Sequence, residues 1–127
     1  MHEPTEGDRH SFERAFTTDD VRRFADLSQD TQPRHTEPDA DGRLLVHGLL
    51  TATLPTKIGG DLEVLARTMT FEFVRPVYTG ETIACTLTIT AVTERDDRYD
   101  IEGEVVCENE DGEAVLTASL EGLVEKA

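Results

Sequence analysis

The sequence of 127 residues has no tryptophan, only two cysteines, only two lysines (Lys57 and Lys126) and few aromatic side chains. It also lacks any apolar run near the roughly 18 residues that read as a membrane-spanning helix. Each shortage removes a class of protein. Two cysteines cannot build a disulfide framework, and no Cys/His spacing fits a zinc site. Residues Met1 to Arg9 are polar and acidic with no apolar core, so no signal peptide is expected and the predicted location is cytoplasmic. Neither a Gly-x-Ser-x-Gly elbow nor a phosphate-binding Walker loop occurs. A chain of this length is expected to form one domain, 1–127, with residues 1–10 as a flexible N-terminus. It can bury roughly two-thirds of its unfolded surface, enough to fold without a disulfide or metal.

What is present in excess is acid. There are 27 Asp and Glu against 12 Lys and Arg, a net charge of −15. That sign excludes a nucleic-acid partner, and nothing points to a membrane. The acids are dispersed, at Asp19-Asp20, Glu37 to Asp41, Asp96-Asp97, Glu108 to Asp111 and Glu121. Ten of the twelve bases are arginine. Dispersed acid with little lysine resembles proteins that work in concentrated salt, where self-repulsion is screened. Cys85 and Cys107 fall on the apolar side of alternating segments and read as isolated core thiols.

Residues 11–17 alternate and predict a short strand. Thr17 or Thr18 can cap a helix over 19–28, with Asp19 and Asp20 favouring its first turn and Val21, Phe24, Ala25 and Ser28 on one face. Pro33 stops that helix, and the Pro-, Asp- and Gly-rich stretch 29–43 reads as loop. Residues 44–58 are the most continuously apolar, and a buried helix is expected over 48–58. Pro55 requires that helix to kink or restart, and Gly59-Gly60 should end it. Four strand-like segments follow, 64–74, 82–93, 99–108 and 113–125, with turn signals at Asp96-Asp97 and Asp111-Gly112. The expectation is an α+β domain: a four-strand antiparallel meander plus one early strand, with the helix covering the sheet's apolar face.

Two short constellations carry chemistry. In Ser28-Gln29-Asp30-Thr31-Gln32-Pro33-Arg34-His35 a carboxylate and an imidazole sit five residues apart around a proline bend. Such a pair can hold one water and move protons between it and a substrate. In Val46-His47-Gly48-Leu49-Leu50, a glycine opens the buried helix. Its N–H can face an oxyanion, or the glycine can simply allow close helix–sheet packing.

Three blocks of the sequence resemble the MaoC-like, (R)-specific enoyl-CoA hydratases. They are Phe16-Thr17-x-x-Asp20-Val21-x-x-Phe24-Ala25-x-Leu27-Ser28-x-Asp30-x-x-Pro33-x-His35, then His47-Gly48-Leu49-Leu50-Thr51-Ala52, then Phe73-x-Arg75-Pro76-Val77-x-x-Gly80-Glu81-Thr82. The resemblance implies a hot dog fold, an antiparallel sheet of about five strands wrapped around a central helix. It implies a homodimer or a dimer of dimers and an acyl-CoA thioester as substrate, with no cofactor. Asp30 and His35 fall on the family's catalytic dyad, and Gly48 on its backbone donor to the thioester carbonyl. His47 and Ser28 join Gly48 as candidate oxyanion and substrate-binding residues. The implied reaction adds water reversibly to trans-2-enoyl-CoA to give (R)-3-hydroxyacyl-CoA, a step the family uses in polyhydroxyalkanoate synthesis and fatty acid metabolism. The alternatives are a hot dog acyl-CoA thioesterase, which usually needs a carboxylate that 48–58 lacks, and a non-catalytic acyl-CoA-binding module. The chain departs from the family in three places. Gln29 stands where Gly is usual, Gln32 stands where Asn is usual, and the 36–46 segment is too short for the family's helix over the acyl pocket.

The charge excess generates a prediction. Melting temperature and activity should both rise from ~0.1 M toward molar salt, as the screening length falls from ~10 Å to ~3 Å. Thermal melts and rates equal at the two salts would refute the high-salt reading.

Overall fold

A computed structural model describes residues 3–127. Helix α1 (Thr18–Ser28) begins with a capping box at Thr17. The Thr17 hydroxyl accepts the Asp20 N–H at 3.1 Å, and the Asp20 carboxylate accepts the Thr17 N–H at 2.9 Å. Arg14 closes on the same carboxylate at 3.0 Å. The Thr17 N–H, acting first, and Arg14 hold the Asp20 carboxyl below its ordinary pKa. Val21 and Ala25 are the buried face, Phe24 is half-buried and Ser28 is exposed. The helix ends at Gln29, whose left-handed backbone (φ 62°) turns the chain while its N–H returns to the Ala25 carbonyl. A side chain other than glycine is uncommon in that conformation.

The stretch expected to be loop contains a one-turn helix, α2 (Pro33–Thr36), with proline at its first position, where its fixed φ suits a helix start and no N–H is missed. Residues 37–47 hold no helix. The central helix is in two pieces, α3 (Gly48–Thr51) and α4 (Thr53–Asp61). Pro55 sits in the first turn of α4, so the restart rather than a mid-helix kink accommodates it. Gly59 and Gly60 lie inside α4 instead of ending it. The terminator is Glu63 in the left-handed region (φ 58°), with Val64 N–H on the Gly59 carbonyl and Glu63 N–H on the Gly60 carbonyl. These two bonds form a Schellman motif, which captures the last carbonyls whatever side chain occupies the turn.

Five strands follow the alternation: β1 (Arg9–Ala15), β2 (Leu65–Phe73), β3 (Thr82–Glu94), β4 (Arg98–Glu108) and β5 (Ala114–Glu125). All pair antiparallel in the order β1-β3-β4-β5-β2. The four-strand meander is therefore corrected to three strands, β3-β4-β5, joined by the turns read from Asp96-Asp97 and Asp111-Gly112. β2 crosses to the far edge beside β5, and β1 takes the place beside β3. The connection from β2 to β3, residues 74–81, is too long for a two-residue hairpin, and its one tight turn, with the Glu81 N–H on the Tyr78 carbonyl, bridges to Leu45 instead of folding β3 back on β2. Gly122 makes the distant pairing feasible, because a Cβ there would lie 2.5 Å from the Leu65 carbonyl oxygen. The N-terminal segment is also more ordered than expected. Gly7 N–H bonds the Ile89 carbonyl, and Arg9 and His10 pair with Thr88 and Leu87. Met1 and His2 lie outside the described residues.

The core lies between the sheet and the broken helix. Ile83, Leu87 and Ile89 of β3, Ile101 and Val105 of β4, and Leu116, Leu120 and Val124 of β5 meet Leu50, Leu54 and Ile58. The two cysteines are not isolated. Cys85 and Cys107 stand directly opposite each other across β3 and β4, both free and fully buried. The neighbouring Cys85 sulfur, followed by burial, pushes the Cys107 thiol pKa up. Among the described residues no helix is long and apolar enough to cross a membrane.

Candidate active site

The chain between α1 and α2, residues 29–32, is a loop held at both ends. Ser28 Oγ accepts the Asp30 N–H at 3.1 Å, and Pro33 starts α2. That geometry turns the Asp30 carboxylate and the His35 ring toward one cavity of about 570 Å³. The cavity walls are mainly apolar, from Leu45, Leu49, Phe73, Val77 and Val115, with Asp30, Gln32, Arg34 and His35 among its polar residues. Asp30 keeps 45% of its side chain exposed and His35 only 7%.

His35 is oriented by its backbone partner. Its Nδ1 lies 2.6 Å from the Leu45 carbonyl oxygen. A carbonyl only accepts, so Nδ1 carries a proton and donates. In the neutral ring the free lone pair is then on Nε2, which lies 3.7 Å from Asp30 Oδ2. That separation is too long for a direct hydrogen bond. It suits a water about 2.8 Å from both atoms. A carboxylate and a neutral Nε2 both accept, and water has two protons to give. The pair can therefore fix both protons of one water and leave its oxygen lone pairs facing the cavity.

Asp30 has its own clamp, from a residue that the sequence marks only as a departure. Gln32 Nε2 donates to Asp30 Oδ1 at 2.9 Å and reaches Oδ2 at 3.3 Å. This bond is the main cause holding the Asp30 carboxyl below its ordinary pKa, with smaller help from the Gln32 backbone, His35 and His47. The signal was present, as a side-chain amide two residues from a candidate acid. Spacing alone does not say which way an amide points.

His47, expected as a substrate contact, stands in the wall of the same cavity. Its ring is buried and stacks on His35, with centroids 3.7 Å apart and planes 16° off parallel. Phe24 meets its edge at 4.9 Å. Nε2 lies 3.0 Å from the Asp30 carbonyl oxygen and donates to it, while Nδ1 is buried with no partner. With one nitrogen engaged and the other enclosed, His47 ties the Asp30 backbone to the start of α3. Ser28, also at the cavity wall, accepts the Asp30 N–H on its Oγ. Gly48 opens α3, and its N–H has no acceptor among the described residues. A Cβ at Gly48 would lie 2.7 Å from the Phe73 ring, so any larger residue there would have to displace that ring.

Asp30, His35 and His47 offer ligand atoms within 4.8 Å of one another. Stacked rings keep their lone pairs in nearly parallel planes that do not meet at one point, however, and two of the four ring nitrogens already hold backbone carbonyls. Converging on one metal would require the stack to come apart. The buried thiols of Cys85 and Cys107 do not line this cavity.

Several solved structures share this architecture. An (R)-hydratase from A. caviae involved in PHA biosynthesis superposes with a TM-score of 0.83 at 23% identity, covering 96% of this chain and 98% of that one. An (R)-hydratase from Pseudomonas aeruginosa gives 0.79 at 20% identity, covering 98% and 89%. A 3R-hydroxyacyl-ACP dehydratase complex from Mycobacterium tuberculosis gives 0.73 at 18% identity, covering 98% and 100%. No curated protein matches the chain. At these identities the structures establish the hot dog fold, a five-strand antiparallel sheet around a central helix. The family model for the MaoC-like domain matches residues 2–110, most of the chain. On that match and this fold, the chain belongs to the MaoC-like dehydratase family.

Proposed function

We propose that the protein catalyses reversible hydration of a trans-2-enoyl-CoA to the (R)-3-hydroxyacyl-CoA. The observation that carries this reading is the Asp30–His35 pair, 3.7 Å apart on the wall of an apolar cavity. Hydration moves only the elements of water and no electrons, so no cofactor is needed. The pair holds the water by both protons and aims its oxygen at the β-carbon. One proton passes to the pair as the C–O bond forms, and the pair returns a proton to the α-carbon. Negative charge grows meanwhile on the thioester oxygen. The free Gly48 N–H is the donor assigned to it, since a fixed N–H stabilises developing charge without reorganising. The (R) outcome is supported by the (R)-hydratases that share the fold.

Hydration of crotonyl-CoA, followed by loss of enoyl absorbance alongside free-thiol release, tests the reading. The wild type should lose absorbance and release no thiol. Asp30→Asn and His35→Ala should each slow hydration by at least about 100-fold, the usual worth of a positioned acid or base. Both variants should melt as the wild type does. Thiol release would indicate a thioesterase, and binding without turnover an acyl-CoA-binding module.

Gln32 is assigned as a positioning residue for Asp30. Its amide keeps the carboxylate ionised to lower pH, so removing it raises the Asp30 pKa toward its ordinary value. Gln32→Leu should lower kcat about 10-fold, the worth of a hydrogen bond to a charged group. It should also move the acid limb of the kcat profile to higher pH. An unmoved acid limb would exclude this role.

The homodimer belongs to the same proposal. β2 is an edge strand exposed along almost its whole length, with Leu65, Met69 and Phe73 open to solvent. Its free backbone groups and apolar side chains invite pairing with a second chain, and closed two-fold pairing satisfies both. Light scattering in molar salt should give twice the 14.1 kDa chain mass. A monomer under those conditions would count against it.

A further inference from the structure

Among the described residues, the cavity holds one cation with no ion-pair or hydrogen-bond partner for its side chain. Seven of the chain's bases close on carboxylates: Arg14, Arg43, Lys57, Arg75, Arg95, Arg98 and Lys126. Arg34 does not, although acids outnumber bases by 27 to 12. Its side chain is exposed and lines the cavity beside Asp30 and His35. Its root is fixed, because the Leu45 N–H bonds the Arg34 carbonyl at 3.0 Å and Pro33 precedes it in α2. The other arginine on the cavity wall is occupied, with Arg75 Nη1 donating to the Ala114 carbonyl at 2.7 Å and Nε facing Glu113 at 3.4 Å.

An ionised Asp30 and a net charge of −15 both repel an anionic substrate. A free guanidinium at the cavity offsets that repulsion locally. Its planar set of five N–H donors matches the two oxygens of a carboxylate or phosphate, a fit that a single ammonium cannot reproduce. Arg34 adjoins His35 in sequence but makes no ion pair with Asp30. It is therefore placed to contact the substrate without neutralising the carboxylate that holds water.

We infer that Arg34 binds an oxyanion carried by the thioester substrate, and so sets which thioesters the site accepts. This rests on the thioester reading above. The oxyanion has two sources, a phosphate of the carrier arm or a carboxylate on the acyl chain.

Steady-state kinetics at fixed ionic strength separate them with three substrates: crotonyl-CoA, crotonyl-pantetheine, and a trans-2-enoyl-pantetheine whose chain ends in a carboxylate. Crotonyl-pantetheine carries no oxyanion and serves as the reference. Arg34→Leu should raise KM about 10-fold relative to that reference for an oxyanion-bearing substrate, the worth of a charge-assisted hydrogen bond. Arg34→Lys should recover part of the loss. Arg22→Leu, the same charge change on the exposed face of α1, should show none. An effect on crotonyl-CoA assigns the carrier phosphate, and an effect on the carboxylated pantetheine thioester alone assigns the acyl carboxylate. Equal KM ratios in wild type and Arg34→Leu for both, or a loss as large for crotonyl-pantetheine, overturn the inference. If the wild type hydrates nothing, calorimetric Kd values for the same ligands decide. Binding about 10-fold weaker in Arg34→Leu supports the inference while the hydratase reading falls. Equal binding, or no binding by the wild type, overturns it.

Discussion

Strands of 13, 11 and 12 residues present one continuous apolar face, and the rest of the structure follows from the need to cover it. The broken central helix supplies Leu50, Leu54 and Ile58, too few to do so alone. Two irregular segments complete the cover with Leu44, Val46 and Val77. They are laced together by Val46 N–H on the Val77 carbonyl, Thr79 N–H on the Leu44 carbonyl, and the Leu45–Tyr78 bridge. Each large side chain buried this way contributes roughly 1.5–3 kcal/mol, so the two segments are part of the core and not free loops. The cavity lies along the seam between them and the helix. Its walls are apolar because they continue the core.

The polar part of the site depends on two buried imidazoles. His35 fastens α2 to the Leu45 segment, His47 fastens the Asp30 backbone to α3, and the rings lie against each other. Four chain segments thus converge on one stack. Burying these rings is tolerable because each gives a proton to a backbone carbonyl, which leaves little but the His47 Nδ1 acceptor unsatisfied. The loop ahead of His35, tied down by both rings, can therefore aim Asp30 and leave it half in solvent. Gln29 in a left-handed turn and the longer Gln32 side chain do not undo this arrangement. The first closes the helix, and the second grips the carboxylate.

Much of the architecture was legible along the chain. Alternation over 11–17 and in stretches such as Ile83 to Ile89, together with runs of Val, Ile, Thr and Phe, marked the five strands; Thr17 or Thr18 with Asp19 and Asp20 marked the start of α1; and Pro55 marked where the central helix had to kink or restart. These are signals between near neighbours, and near neighbours meet in almost any fold. The ordered three-block resemblance carried the family. The segments that misled were those whose local chemistry permits several structures. The stretch 29–43 looked like loop, yet it holds a helical turn because Pro33 favours a helix start and His35 has a buried partner ten residues on. Gly59-Gly60 looked like a stop, yet the stop came where Glu63 could enter the left-handed turn.

The sequence by itself determined which face of each strand is apolar, where the chain turns, the acidic character of the surface, and that Asp30 and His35 flank a proline bend. Tertiary structure decided who meets whom. It put β2 beside β5, Cys85 opposite Cys107, His47 under His35, Gln32 on Asp30, and left Arg34 unpaired at the cavity. The reason is physical. A hydrophobic pattern states that a face must be buried but not against what, and a side-chain amide or imidazole takes whichever partner the packed backbone brings within about 3 Å. Those distances are set by the cover the long sheet demands, which no local stretch of the chain contains.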